Sequence, residues 1–264
     1  MIQANTGQFD ISDHYDVMVE LDRDVHNDVD LAKSEVTLAL SLIGYVPLRI
    51  FLPCVGTGRH IQALLDAGVE SIVGVDLSTR CVEKALDLYA RHPKVCLYLA
   101  DVCTYRSDTQ FEAVLLLGNS FGDIIDPNVL NEFTAAMMRV LRSGGVFVMD
   151  YIGTGYECRY GCPTTWNATL RGRPVQDVRT PQYDPTGVLT IHVNVRDQET
   201  SEFAWEGRYQ KRVMSDSDLV SHFACNGVSM NSHGVATDLN PYYSAERTEL
   251  GMIAKSTWWV GKKS

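Results

Sequence analysis

Two glycines and two aspartates in this chain are spaced to hold a ligand. The run Arg49 to His60 reads Arg-Ile-Phe-Leu-Pro-Cys-Val-Gly-Thr-Gly-Arg-His. Apolar Ile50 to Leu52 leads into the turn Gly56-Thr57-Gly58, and a helical pattern follows, with Ile61, Leu64 and Leu65 on one face and Gly68 as its stop. Glycines suit such a turn because the backbone must bend sharply and let a ligand approach without a Cβ in the way. The free N–H groups opening the next helix then face that ligand. A second short run, Ser71 to Val75, ends in Asp76, and a third, Val95 to Ala100, ends in Asp101. An acid about 20 residues after a glycine turn, at the tip of the second strand, suits hydrogen bonding to ribose hydroxyls. Aspartate is also favoured at helix N-caps, and both roles can hold together.

These residues carry a family resemblance. Phe51 to His60, Val75-Asp76-Leu77-Ser78 and Ala100-Asp101-Val102 resemble the class I S-adenosylmethionine-dependent methyltransferases. The run Phe111-Glu112-Ala113-Val114 to Leu117-Gly118-Asn119-Ser120-Phe121 resembles the fourth motif of small-molecule N-methyltransferases of the glycine/sarcosine type. The likeness is close from Ala32 to Tyr151 and holds in outline beyond. Dinucleotide-binding Rossmann enzymes also carry an acid after the second strand, but they use three glycines, and Ile61 stands at the third here.

The resemblance implies the binding roles. Val55, Gly56, Thr57 and Gly58 approach the methionine half of S-adenosylmethionine, Asp76 takes the ribose hydroxyls, and Asp101 or the Val102 backbone reads the adenine edge between Leu77 and Val102. Asn119 lies toward the sulfonium. Tyr15, Asn119 and Asp150 are the catalytic candidates, Tyr15 being equally readable as packing. Asp150 and Tyr151 end the fifth strand, where ligands of open α/β sheets bind. Arg59 and His60 open the helix after the glycine turn and could meet the cofactor carboxylate or a substrate, or face solvent.

The chain departs from the family pattern in two places. Leu31 stands where a helix arginine is expected. Leu52 replaces the acid that ends the first strand and helps hold the methionine ammonium, with Pro53 and then Cys54 at the first glycine. Backbone carbonyls or water could substitute for that acid. Alternatively, an unrestrained amine could attack its own Cγ, giving azetidine-2-carboxylic acid and methylthioadenosine. The resemblance therefore implies methyl transfer to a small molecule of secondary metabolism, an amine foremost, with that cyclisation as the alternative.

The elements that position these residues follow from periodicity. Asn27 to Ile43 reads as a helix, with Asn27 at the cap and Asp28 and Asp30 in the first turn. Helices are predicted over Cys81–Tyr89, Val129–Leu141 and Asp216–Cys225, with Ser143-Gly144-Gly145 stopping the second. Strands are predicted over Val95–Ala100, Val114–Leu117, Val146–Asp150, Val228–Val235 and Gly251–Val260. Short apolar strands alternating with helices give a parallel sheet covered on both faces. Gly153 to Pro185 reads as a long loop, and Val188–Val195 with Phe203–Val213 as an antiparallel hairpin. The expected fold is a Rossmann-like class I methyltransferase fold. Its seven-stranded sheet is mostly parallel with an antiparallel last strand, and it carries an N-terminal helical cap and a hairpin insertion. The expected organisation is one domain over 1–264, with a cap at 1–45, a nucleotide-binding core at 46–152, a substrate-side loop and hairpin at 153–214 and closing elements at 215–264.

Composition narrows the function class. The 264 residues carry 23 basic and 33 acidic side chains, a net charge of −10, which disfavours nucleic-acid and anionic membrane surfaces. Met1 to Asp13 lacks the basic and apolar regions of a signal peptide. Seven scattered cysteines read as free thiols in a cytoplasmic, reducing setting. Cys158 and Cys162 have no second pair at zinc spacing, so no metal site is expected. The expected partner is a small molecule, with monomer and homodimer both allowed.

Overall fold

The structure, a computed structural model, describes residues 11–22, 29–151, 163–235 and 256–264. Its core is a seven-stranded sheet. In chain order come helix α1 (Ile11–Met18), strand β1 (Leu21–Asp22) and helix α2 (Val29–Ile43). Then β2 (Arg49–Pro53), α3 (Ile61–Asp66), β3 (Ser71–Asp76), α4 (Thr79–Tyr89), β4 (Val95–Leu99) and β5 (Phe111–Leu116) alternate. A 3-10 turn at Ser120–Asp123 precedes α5 (Pro127–Val140) and β6 (Leu141–Tyr151). After β7 (Thr164–Leu170), β8 (Arg173–Tyr183), β9 (Val188–Asp197) and β10 (Phe203–Arg212), the chain closes with α6 (Asp216–Cys225), β11 (Val228–Val235) and β12 (Thr257–Lys263).

The sheet order is β11-β12-β6-β5-β2-β3-β4, with β12 antiparallel to both neighbours and the remaining pairs parallel. Ile50, Leu52, Ile72, Ala113 and Leu115 face one apolar layer, and Phe51, Val75, Val114 and Leu116 face the other. Side chains alternate across a strand, so each central strand serves both layers and reads as a continuous apolar run. The strand order reverses between β2 and β5. At such a switch point the loops leaving neighbouring strands diverge and open a crevice at their carboxyl ends. The glycine turn after β2 and the Gly118-Asn119 corner after β5 both lie there.

A second sheet holds β1-β7-β8-β9-β10, all antiparallel. This corrects two sequence expectations. The hairpin is four strands deep plus β1, and most of the expected loop at Gly153 to Pro185 is β7 and β8. The inward positions of β8 are Val175, Asp177, Arg179 and Pro181. A buried Asp177–Arg179 ion pair at 3.1 Å occupies two of them, so the period-2 pattern exists in burial and not in hydrophobicity. The expected glycine stop is also displaced. Helix α5 ends at Val140, its cap Leu141 is already extended, and Ser143-Gly144-Gly145 lies inside β6. Strand β12 starts at Thr257, past the predicted Gly251. Asn27, Cys158, Cys162 and much of the expected lid lie outside the described residues. No helix among the described residues is long and apolar enough to cross a membrane.

Candidate functional site

The site is built from the carboxyl ends of β2, β3, β5 and β6. After Pro53 the chain turns at Cys54, whose φ of 55° is left-handed. The position that resembles the family's first glycine therefore keeps a glycine conformation although it carries a side chain, at a backbone cost. Gly56 (φ 57°) and Gly58 (φ 77°) continue the turn. A Cβ on Gly56 would meet nothing within 4 Å, so that side of the loop is an open cradle. A Cβ on Gly58 would come within 2.9 Å of Ile61 Cδ1. We expect Gly58→Val to be the more destabilising of the two, because it adds a clash with α3 to a strained φ. Gly56→Val should lower ligand affinity more than it lowers the melting temperature. A Gly56→Val protein that binds S-adenosylhomocysteine like the parent would show that nothing enters the cradle.

Asp76 fastens this loop. Its Oδ2 accepts from the Gly56 N–H at 2.7 Å and its Oδ1 from the Ser78 N–H at 2.9 Å. Burial pushes the Asp76 carboxyl up, and the Ser78 and Gly56 N–H groups pull it back down. Helix α4 is capped by Ser78, whose hydroxyl accepts from the Cys81 N–H, so Asp76 is not the cap. Leu77 is 51% exposed beside it, and Val102 is buried. Asp101 Oδ1 accepts from the Cys103 N–H at 2.8 Å.

Asn119 sits in a left-handed corner with φ 59° and is buried. Its N–H donates to Asp150 Oδ1 at 3.1 Å, and its carbonyl accepts from Lys211 Nζ at 3.1 Å. Lys211 also donates to Asp123 Oδ1 at 2.6 Å, and the Tyr15 hydroxyl donates to Asp123 Oδ2 at 2.7 Å. Burial and the Asp123 charge hold the Tyr15 phenol well above its usual range, so it is a donor at neutral pH. One carboxylate thus joins α1, the turn after β5, and β10. Asp16 adds a second joint by accepting from Ser78 Oγ and the Arg80 N–H. Cys54 lies within electrostatic reach of Asp76, Asp123 and Lys211. The Asp76 carboxylate and the Tyr15–Asp123–Lys211 joint therefore face one buried region.

A second charged cluster borders the turn. Glu35 Oε2, on α2, lies 2.6 Å from Arg59 Nη1 and 2.7 Å from His60 Nε2. Burial alone would raise the Glu35 carboxyl, but Arg59 and His60 outweigh it and bring it down to about 2. Burial and the Arg59 charge lower His60 below its ordinary value. At neutral pH Glu35 is an acceptor only, so neutral His60 must carry its proton on Nε2. A carboxylate with a depressed pKa stabilises the fold fully above its unfolded value and loses that effect as pH falls through the folded one. The stability advantage of the native chain over Glu35→Gln should therefore shrink as pH falls from about 4.5 to about 2. An advantage that does not change with pH over that range would contradict the ion pair.

The structure brings together Val55, Gly56, Thr57, Gly58, Asp76, Asn119 and Asp150 at the switch point, with Tyr15 above them through Asp123. Leu77, Asp101 and Val102 follow β3 and β4 at the sheet's edge. Sequence reasoning missed Glu35, Asp123 and Lys211 as site residues. Lys211 had a signal, because it shares the inward register of Tyr209 and Val213 on a half-buried strand where an apolar residue belongs. Among the described residues no cluster could hold a metal ion.

The open Gly56 cradle, the Asp76 carboxylate and the buried charged pair beside them fit a zwitterionic nucleoside such as S-adenosylmethionine. Residues 53–145 match the protein-family model described as a methyltransferase domain. Among solved structures, DesVI of Streptomyces venezuelae superposes with a TM-score of 0.70 at 17% identity, over 98% of this chain and 100% of that one. A sugar N-methyltransferase from Streptoalloteichus sp gives 0.69 at 18% identity, over 100% of this chain and 96% of that one. An amino pentose methyltransferase from Micromonospora echinaspora, solved with S-adenosylmethionine bound, gives 0.68 at 16% identity, over 99% and 100%. No curated protein matches the sequence.

Proposed function

We propose that this chain, which belongs to the class I S-adenosylmethionine-dependent methyltransferases, methylates an amine nitrogen of a small molecule. When bound, S-adenosylmethionine supplies the activated methyl group. The chain's own work is to bind, to orient and to keep water out. The turn from Val55 through Thr57 to Gly58 cradles the methionine half. Asp76 offers acceptor lone pairs to the ribose hydroxyls, and Asp101 with the Val102 backbone reads the adenine edge beside Leu77. Helix α1 and strand β10 close the region through Tyr15, Asp123 and Lys211.

One observation carries the amine reading. The lid joint already holds an amine nitrogen: Lys211 Nζ lies between the Asn119 carbonyl and the Asp123 carboxylate, with the Tyr209 ring 5.8 Å away. Carbonyl and carboxylate acceptors of this kind orient N–H donors. An acceptor amine entering beside the Lys211–Asp123 pair meets a desolvated site. Desolvation disfavours its ammonium form and leaves the nitrogen lone pair available. Asp123 can receive the proton that the amine releases on methylation. Tyr15, donating to the other Asp123 oxygen, holds the carboxylate in place for this.

The test is incubation with S-adenosylmethionine and a panel of small amines against the matching alcohols. Amino sugars come first, since the similar structures include a sugar N-methyltransferase and an amino pentose methyltransferase. S-adenosylhomocysteine should form only when an amine is present. Methyl transfer to the alcohols alone would overturn the amine reading, as would methylthioadenosine forming with no acceptor.

A further inference from the structure

Among the described residues, the buried cluster beside the glycine turn holds two carboxylates, Glu35 and Asp150, and one guanidinium, Arg59. Glu35 is paired with Arg59 and with neutral His60. Asp150, at the end of β6, is 1% exposed. The Asn119 N–H donates to its Oδ1 and the Gly118 N–H also faces the carboxyl, while its Oδ2 is buried with no hydrogen-bond partner among the described residues. Helix α2, which carries Glu35, packs against both β6 and α3, and Asp150 feels both the Glu35 and the Arg59 charges. Among the described residues, two carboxylates therefore face one guanidinium. A buried carboxylate oxygen without a partner is costly, and a ligand cation is the group that would relieve it. The strand-end acid that the family resemblance leads one to expect is absent, since Leu52 stands there, buried in the apolar layer.

We infer that Asp150 and Arg59 replace the missing acid and the missing helix arginine: Asp150 receives the ammonium of the cofactor's methionine arm, and Arg59, steadied by Glu35, receives its carboxylate. The inference rests on S-adenosylmethionine being the cofactor. Charges match: one extra negative charge meets the ammonium, and a guanidinium fork meets a carboxylate that it can hold in two-point fashion. Glu35 acts through Arg59 and is a positioning residue. The pairing has a chemical consequence. An ammonium held by a carboxylate keeps its proton and has no lone pair. The self-cyclisation considered from the Leu52 substitution is then withheld, and the methyl group is left as the reactive carbon.

The experiment compares two ligands that differ in this arm. S-adenosylhomocysteine carries it, and methylthioadenosine keeps the nucleoside and sulfur without it. Calorimetry should show that Asp150→Asn weakens S-adenosylhomocysteine by tenfold or more and leaves methylthioadenosine unchanged. Arg59→Gln, on a side chain at the edge of the cluster, should show the same split, and thermal melting checks that each variant is folded. Burial, with the Glu35 charge adding, raises the Asp150 carboxyl to about 6. The preference of the native chain for S-adenosylhomocysteine over methylthioadenosine should therefore rise with pH through that value and flatten in Asp150→Asn. Equal losses for both ligands would reduce the cluster to a structural role and overturn the inference. So would a native chain that binds both ligands equally well. A native chain that binds neither would overturn the cofactor assignment itself.

Discussion

Asp76→Ala should lower affinity for S-adenosylhomocysteine by about one to two orders of magnitude. Charge-assisted hydrogen bonds to a carboxylate contribute roughly 1.5–3 kcal/mol, and each 1.4 kcal/mol is about tenfold in affinity. The carboxylate does two things at once. In the proposed site it offers its remaining lone pairs to a ribose, and it holds the glycine turn through the Gly56 N–H while holding the start of α4 through the Ser78 N–H. Alanine removes both, leaving two backbone donors to find water, so the melting temperature should also fall. Asp76→Asn separates the effects, because the amide oxygen can keep one backbone N–H while the charge is lost. Affinity should then drop with a smaller change in melting. Calorimetric titration that finds alanine and parent equal would remove Asp76 from the ribose site.

Lys211→Met should be the most destabilising single change in the lid. The Lys211–Asp123 pair is buried on both sides, with side chains 4% and 9% exposed. Removing one partner of a buried pair costs about 3–5 kcal/mol, mostly because the other charge stays behind without compensation. Among the described residues, Asp123 would then keep the Tyr15 hydroxyl as its side-chain donor. The loss should appear in denaturant unfolding. The double variant Lys211→Met with Asp123→Leu should regain most of the stability, since it leaves no stranded charge, yet methyl transfer should stay low because α1 and β10 no longer meet over the site. A Lys211→Met protein that unfolds at the parent's denaturant midpoint would show the joint to be incidental.

Part of this protein was legible in its sequence for a simple reason. In the parallel core, local pattern and tertiary role agree. Strands β2, β3 and β5 are buried on both faces and read as apolar runs. Helices α2, α4 and α5 carry apolar stripes at helical spacing. The glycines of the turn and the aspartate at the tip of β3 are short-range features, fixed by backbone geometry and by distance along the chain. The sequence accordingly determined the class of fold, the glycine turn after β2 and the family resemblance.

Tertiary structure decided what depended on partners far along the chain. Strand β8 was hidden because Asp177 and Arg179 are inward residues that neutralise each other, and no window of sequence reveals that they pair. Asp123 reads as an ordinary turn residue until Tyr15 and Lys211 arrive at 108 and 88 positions' separation. Glu35 reads as one more polar helix residue until Arg59 and His60 fold against it, 25 positions away in the case of His60. The substitution at Leu52 was visible in the sequence, but what stands in for the lost carboxylate was not. Charge compensation acts through space, and Asp150 comes beside Asn119 because β6 pairs with β5, next to the switch point of the sheet.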